Sequence, residues 1–533
     1  MSIPTPLPAP VPSRCHTRVL PVLGLLPEGS FFIYRNAGTM NQRTVGERFY
    51  TAFSAYNSEV VSDDVIVVGH LGTRKFLLVG ALTARRSLTH LSAVFRGRVL
   101  SEIRIVQPQI ADDDPAPEEI LVLRGDDWRA LLSEYGRAVA RAMRAVPRDG
   151  ARPSVFGYCT WYYYYADVTE RDLLENVDTL AARRDVFPAR YVQIDDGYQT
   201  FQGDWNDQDA SWPTPLRDIA ARIRSKGMEA GIWTMPFHAS TASRVFREHP
   251  EWFVRDDSGN PLVAQGWSPP PDDKWVTLDT SREDVLEHLR TIFRTFREWG
   301  FTYFKMDGLG FALVDGVRHD PAATPVSAFR QGLQAIREAV PDSFLLGCSQ
   351  HFLPCVGLCD GVRFSDDTQA RSGSIVAAVQ CTLNRFWMFP WYEADPDVLI
   401  ARQDRGDVTP GDARISVLGG ILTGFCLTSD NLATIAPERL GILAKAVSLR
   451  MRDVRPLYDV SPFEWPRLFL GTVDGRPACA LVNYGDAFYE VRKADIEGMD
   501  PAGSFEEVLA DAGPIGGDTI RVPAHDGWLV VQR

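Results

Sequence analysis

Three apolar segments of this sequence end in clusters of charge: Gln193-Ile194-Asp195-Asp196-Gly197-Tyr198, Phe304-Lys305-Met306-Asp307-Gly308 and Arg363-Phe364-Ser365-Asp366-Asp367-Thr368. Side chains alternate along a strand, so Lys305 and Asp307 are expected on one face, as are Arg363, Ser365 and Asp367, with Asp366 turned away. If these faces look into one space, several carboxylates and two cations converge there, which is costly to bury without substrate or function. Cleavage of a glycosidic bond needs such a set: one ionised carboxylate to attack or stabilise the anomeric carbon, and one protonated carboxyl to donate to the leaving oxygen. Lys305 beside Asp307 favours the ionised form of a nucleophile, whereas the charge of Asp307 favours a retained proton on Asp367. Arg363 opposes that proton unless it is directed mainly at the sugar or at Asp366. A single aspartate at a strand end is more often a helix cap or turn residue; three such ends in one domain shift the balance towards shared chemistry. Trp161, Trp205, Trp233 and the run Tyr162 to Tyr165 offer flat faces for the C–H side of a sugar, although each alone is better explained by core or loop packing.

Strand ends become a site only if a scaffold gathers them. From about residue 153 to 430 short strands alternate with helices, the strands being Tyr191 to Asp195, Gly231 to Met235, Tyr303 to Asp307, Phe344 to Cys348 and Val362 to Asp366. One helix shows Val285, Leu289, Ile292, Phe296 and Trp299 at spacings of three and four, with Thr280 and Glu283 as a capping box and Gly300 as its stop. A second runs through Val326, Phe329, Leu333, Ile336 and Val340. Alternation over about 280 residues predicts an α/β fold, a (β/α)8 TIM-type barrel, in which catalytic groups stand where the strands finish. The runs Phe31 to Tyr34, Val65 to Val68, Lys75 to Val79 and Glu119 to Leu123 predict an N-terminal antiparallel β-sandwich. A linking helix from Trp128 to Ala145 and a boundary at Pro147-Arg148-Asp149-Gly150 follow. After a helix from Pro437 to Arg450, Leu468 to Val473, Ala478 to Asn483 and Trp528 to Val531 predict a small C-terminal β-domain. The expected division is residues 1–150, 151–455 and 456–533.

Composition narrows the partners. A net charge of −13 without a clustered basic surface opposes nucleic acid, and a run of about 18 apolar residues, the minimum for a membrane-spanning helix, is missing. The proline-rich start lacks the basic and apolar parts of a secretory signal. The eight cysteines stand singly, which suits a reducing compartment and predicts a cytoplasmic location. Cys355 and Cys359, four apart, have no second ligand pair nearby to make a metal site. Neither HExxH nor a GxSxG elbow occurs, leaving zinc peptidase and serine hydrolase readings without support.

These residues resemble glycoside hydrolase family 36, the α-galactosidases of the melibiase clan, in their compact bacterial and archaeal form. The resemblance rests on Lys305-Met306-Asp307, on Arg363 to Asp367 beginning about sixty residues later, and on Asp195-Asp196-Gly197. It implies Asp307 as nucleophile and Asp367 as acid/base in a retaining double displacement, with the two carboxyl groups about 5–5.5 Å apart. It also implies Asp195 and Asp196 on the sugar 4- and 6-hydroxyls, with Lys305, Arg363, Trp161, Trp205, Trp233 and Cys348 lining the substrate. No metal or organic cofactor is implied; the partner is a small glycoside or oligosaccharide, with a homo-oligomer left open. Two departures stand out. Cys348-Ser349-Gln350-His351 replaces a glycine-rich Cys-x-x-Gly-x-Gly loop that approaches the 2-hydroxyl, which keeps N-acetylgalactosamine open as the sugar. Tyr198 replaces a tryptophan common after Asp-Asp-Gly. A raffinose-synthase-like transglycosylase using the same carboxylates and an inactive sugar-binding barrel are the rival readings.

Overall fold

A computed structural model of the chain describes residues 15–29, 31–36, 48–50, 58–111, 114–145, 155–265, 274–457 and 467–533. The proline-rich start and the expected boundary at Pro147 to Gly150 lie outside the described residues.

Eight parallel strands form the central sheet: β1 (Val155–Cys159), β2 (Tyr191–Ile194), β3 (Glu229–Thr234), β4 (Phe301–Met306), β5 (Phe344–Gly347), β6 (Gly361–Arg363), β7 (Glu393–Asp395) and β8 (Phe425–Thr428). Parallel strands are covered on both faces, which explains why they read as apolar runs rather than as alternating ones. Their order is β7-β6-β5-β4-β3-β2-β1-β8. The seam between β7 and β8 is joined just beyond β7, where Leu399 bridges Thr428 and its amide donates to the Leu427 carbonyl at 2.7 Å. The sheet is therefore a nearly closed (β/α)8 barrel.

Helices Glu170–Ala182, Leu216–Ser225, Glu283–Trp299, Pro325–Ala339, Ser372–Leu383, Pro410–Thr423 and Pro437–Ser448 lie between and after the strands. In Glu283–Trp299 the face made by Val285, Leu289, Ile292, Phe293 and Phe296 is buried, and Gly300 ends the helix with φ 102°, a conformation that glycine adopts without steric cost. The expected Thr280–Glu283 capping box does not form. The helix begins two residues later than that pairing needs, with Arg282 at its N-cap, and the Thr280 hydroxyl donates instead to the Ala328 carbonyl at 2.7 Å.

Antiparallel sheets of four and five strands, with Val22, Phe31, Ile66, Leu91 and Ile103 among their shared core, lie N-terminal to the barrel. Helix Trp128–Met143 fixes them to it: Tyr135 donates to the Ala81 carbonyl at 2.7 Å, while its ring packs on Trp387 at 5.1 Å. A second antiparallel unit of six and two strands follows the barrel and packs its strand Asp526–Gln532 on helix Pro410–Thr423. There Arg414 meets Asp526 at 2.7 Å, and the helix is buried almost throughout.

The strands expected to end on carboxylates stop before them. Asp195, Asp307 and Asp366 each lie beyond the last paired residue, so these carboxylates stand on short loops at the C-terminal mouth, while Lys305 and Arg363 remain in the pleat.

Tight strand pairing at β1 sets one prediction. A Cβ on Gly157 would lie 1.9 Å from the Tyr191 carbonyl oxygen, which belongs to the neighbouring backbone and cannot swing aside. Gly157→Ala is expected to lower stability by about 3 kcal/mol, the upper end for overpacking, read as a fall in the urea midpoint at unchanged slope.

Candidate active site

Lys305, near the end of β4, is among the charges buried at the barrel mouth. Its side chain is 6% exposed, and its ammonium donates to Asp195 Oδ2 at 2.9 Å, with Asp195 itself 2% exposed. Burial alone would push the ammonium down; Asp195 leads the groups that outweigh burial and hold it well above the usual lysine value. Asp195 Oδ2 also accepts from Gln193 Nε2 and, at 3.4 Å, from the Cys159 thiol, while Oδ1 accepts the Asp196 amide at 3.0 Å. Protein donors therefore occupy most of this carboxylate. Lys305 bears on Asp307, but its ion pair is made with Asp195, beyond the end of β2 and two strands away.

Asp307 follows β4 by one residue, and its own amide donates to the Thr234 carbonyl at 2.8 Å. Donors converge on its carboxylate. Ser349 Oγ and the Gly308 amide reach Oδ1 at 2.8 and 2.7 Å, and Trp233 Nε1 reaches Oδ2 at 3.1 Å. The Cys348 thiol, kept neutral by burial, adds a fourth. Burial works to raise this carboxyl, but Lys305, then Arg363 and these hydrogen bonds, bring it down to about 2. A carboxylate so held is ionised at neutral pH and fixed in orientation.

Arg363 ends β6 with its side chain 3% exposed. Its Nη2 meets Asp367 Oδ1 at 2.7 Å, its Nη1 donates to the Tyr162 hydroxyl at 2.8 Å, and its Nε donates to the Ser365 carbonyl at 3.1 Å. The Tyr162 hydroxyl in turn donates to Asp367 Oδ1 at 3.3 Å. Asp367 itself is 54% exposed, so the guanidinium holds it from the buried side while its other face meets solvent. The strand-alternation argument does not describe how this happens. Pairing stops at Arg363, and the chain turns so that Asp367 reaches back to it four residues later. The member of the Asp366-Asp367 pair expected to face Arg363 is still the one that does; Asp366 acts instead on the Cys381 thiol.

Asp196 is buried, and its Oδ1 accepts from Gln199 Nε2 at 2.5 Å. Trp161 is half-buried and meets the Tyr165 ring edge-on at 5.4 Å. Trp205 is 1% exposed and packs edge-on behind Trp233 at 5.7 Å. The expectation of Trp205 as an open sugar face is therefore corrected: it backs the indole that holds Asp307. Tyr198, in place of a tryptophan, is buried and donates to the Trp233 carbonyl at 3.0 Å.

Sequence reasoning missed several participants. Gln193 was detectable as the residue sharing Asp195's face on β2. Ser349 reaches Asp307 from a left-handed backbone conformation, φ 53°, that no local pattern announces. Asp395 and Asp397 stand at the end of a strand too short to mark itself.

A family model described as Melibiase matches residues 142–310. Among curated relatives, alpha-galactosidase AgaA of Geobacillus stearothermophilus is 26% identical over 206 residues, covering 36% of this chain and 26% of its own length. An A type blood alpha-D-galactosamine galactosaminidase of Flavonifractor plautii is 27% identical over 139 residues, covering 25% and 13%. The aligned parts thus span about a quarter or less of these two relatives. Among solved structures, the Thermus thermophilus alpha-galactosidase TtGalA, in complex with p-nitrophenyl alpha-D-galactopyranoside, aligns with a TM-score of 0.66 at 24% identity, over 85% of this chain and 91% of that one. The residues matched by that model include β1 to β4 of the (β/α)8 barrel, which antiparallel sheets flank. The sequence matches make part of the chain similar to α-galactosidases, and the structural match shows a shared fold.

Lys305→Met leaves Asp195 buried without its cation, and a broken buried pair costs about 3–5 kcal/mol, to be read by urea denaturation. Loss of the positive charge also removes the strongest influence opposing burial at Asp307. The carbon-detected NMR titration of Asp307 is therefore expected to move upward from about 2 in this variant.

Proposed function

We propose that this protein is a retaining exo-glycoside hydrolase that removes terminal α-linked galactose from oligosaccharides or simple glycosides. The observation that carries this reading is that one buried guanidinium serves both carboxyl groups. Arg363 touches Asp367 at 2.7 Å and helps hold Asp307 down to about 2.

In this mechanism Asp307 attacks the anomeric carbon from a position set by Ser349, the Gly308 amide and Trp233. Asp367 donates a proton to the glycosidic oxygen as the C–O bond breaks, giving the free aglycone and a glycosyl ester on Asp307. Water then gives its proton to Asp367 and attacks the same carbon, returning Asp307 as carboxylate and releasing the sugar with its original configuration. The two roles suit the two environments. A nucleophile gains from an enclosed carboxylate ionised at neutral pH, while the acid/base must exchange protons with an aglycone and with water, and Asp367 is half open to solvent. Asp196, with Asp195 anchored beneath it, would accept from hydroxyls of the sugar; an epimer that left such an acceptor unpaired would be rejected. Trp161, half-buried, supplies an aromatic face. The eight free cysteines support a cytoplasmic location.

A second reading concerns the sugar rather than the reaction. The loop Cys348-Ser349-Gln350-His351 lacks the family glycines, and one relative is named for a galactosamine substrate. An N-acetylgalactosaminide is therefore the competing substrate.

A panel of nitrophenyl α-glycosides tests both. Cleavage of the galactoside is expected; preference for the N-acetylgalactosaminide moves the assignment to that sugar, and cleavage of neither leaves a sugar-binding barrel. Transfer to sucrose in place of water would identify a transglycosylase. Asp307→Gly is expected to abolish turnover on the active substrate, with azide restoring it and yielding the β-glycosyl azide; full activity in this variant sinks the mechanism.

A further inference from the structure

Asp397, on the turn after β7, touches both ends of the segment that carries Asp367. Its Oδ2 accepts the amide of Thr368, the residue next to Asp367, at 2.6 Å. Its Oδ1 lies 3.6 Å from Nη1 of Arg363, the guanidinium that grips Asp367 from below. Ser365, between them, donates to the Pro396 carbonyl at 3.4 Å. Asp397 reaches this position through a left-handed backbone conformation, φ 74°, and its amide is tied to Asp395 Oδ1 at 2.8 Å. A side chain 3% exposed, held in an uncommon backbone region and in contact with both ends of the six-residue segment from Arg363 to Thr368, is placed to fix that segment.

We propose that Asp397 is the positioning residue of the acid/base: it sets where Asp367 stands and how strongly Arg363 pulls on it. The inference rests on the reading of Asp367 given above. Arg363 is shared between two carboxylates, a half-exposed one that works and a buried one that stays. Neutralising the buried one turns the full charge of Arg363 on Asp367 and removes a nearby negative charge, and both changes favour the Asp367 anion over the acid. The charged and titratable groups around Asp397 are Arg363 and Asp367 on and after β6, Lys305 on β4, Tyr162 after β1 and Asp395 on its own strand. Burial, then the Asp397 charge, pushes Asp395 up to about 8; burial raises Asp397 as well, with Arg363 first among the groups that oppose it.

The test compares Asp397→Asn and Asp367→Ala with the intact enzyme on two substrates of the preferred sugar, one with a dinitrophenyl leaving group and one with a methyl or sugar aglycone. A good leaving group departs without a proton. Asp397→Asn, whose amide oxygen still accepts from Thr368, is expected to lose about ten-fold or more in kcat/KM on the poor leaving group, within the range of general-acid effects, and less than about three-fold on the dinitrophenyl glycoside. The alkaline limb of its kcat/KM profile is expected to move to lower pH. Equal losses on both substrates with an unmoved limb make Asp397 merely structural and overturn the proposal, as does a variant with unchanged kinetics. Asp397→Glu, which keeps the charge, is expected to hold the wild-type limb; should Asp397→Asn fail to fold, a limb displaced in Asp397→Glu overturns the proposal and a retained one upholds it. If Asp367→Ala itself shows no dependence on the leaving group, the acid/base reading fails; if it shows one and the Asp397 variants do not, only the present inference fails.

Discussion

An ammonium and a carboxylate 2.9 Å apart, each almost wholly withdrawn from water, require one another. Removing either leaves a buried charge without its counter-charge, so this pair ties β4 to the loop after β2, two strands that are separated by β3 and do not pair with one another. Much of the mouth follows from that tie. The Asp195 carboxylate gathers Gln193, Cys159 and the Asp196 amide around itself, which fixes the loop after β2. The charge of Lys305, although spent at contact distance on Asp195, still reaches Asp307 and keeps it ionised against burial. One cation thus settles a structural pair directly and a reactive carboxylate at longer range.

The two candidate catalytic carboxylates are treated differently by the fold. Asp307 is enclosed by donors from three successive strand ends, Trp233, Gly308 and Ser349, a cradle that favours one charge state and one orientation. Asp367 is held on one side only, by Arg363 and the Tyr162 hydroxyl. The barrel architecture makes this contrast available, because each group arrives on its own short loop and the loops vary independently of the strands.

Much of this was legible in the sequence. Strand and helix alternation gave the barrel, since buried parallel strands and amphipathic helices leave strong periodic marks. The charged strand ends gave the groups to examine, and Asp367 was chosen over Asp366 by a pleat argument whose premise fails, since pairing ends at Arg363 and a turn does the work. Partner choice was less legible. Lys305 is two residues from Asp307 and 110 from Asp195, yet it bonds the distant one, because a side chain inside a barrel points across it and sequence proximity says nothing of that direction. Trp205 looked like an open sugar face and is a buried support, as burial depends on the neighbouring loop. Ser349 and Asp397 depend on left-handed backbone conformations that only the packed chain enforces.

The stretch from Asp395 to Leu399 is asked to do two things within five residues. At Asp397 it holds the loop of Asp367; at Leu399 it joins the seam between β7 and β8, where β-bridging is reduced to one residue pair. The barrel's most lightly stitched edge and the jig for its half-exposed candidate acid/base are therefore the same piece of chain. Loosening the seam by heat or substitution would disturb the reaction geometry before the remainder of the barrel opened. Loss of activity and loss of closure would then be a single event, seen from two sides.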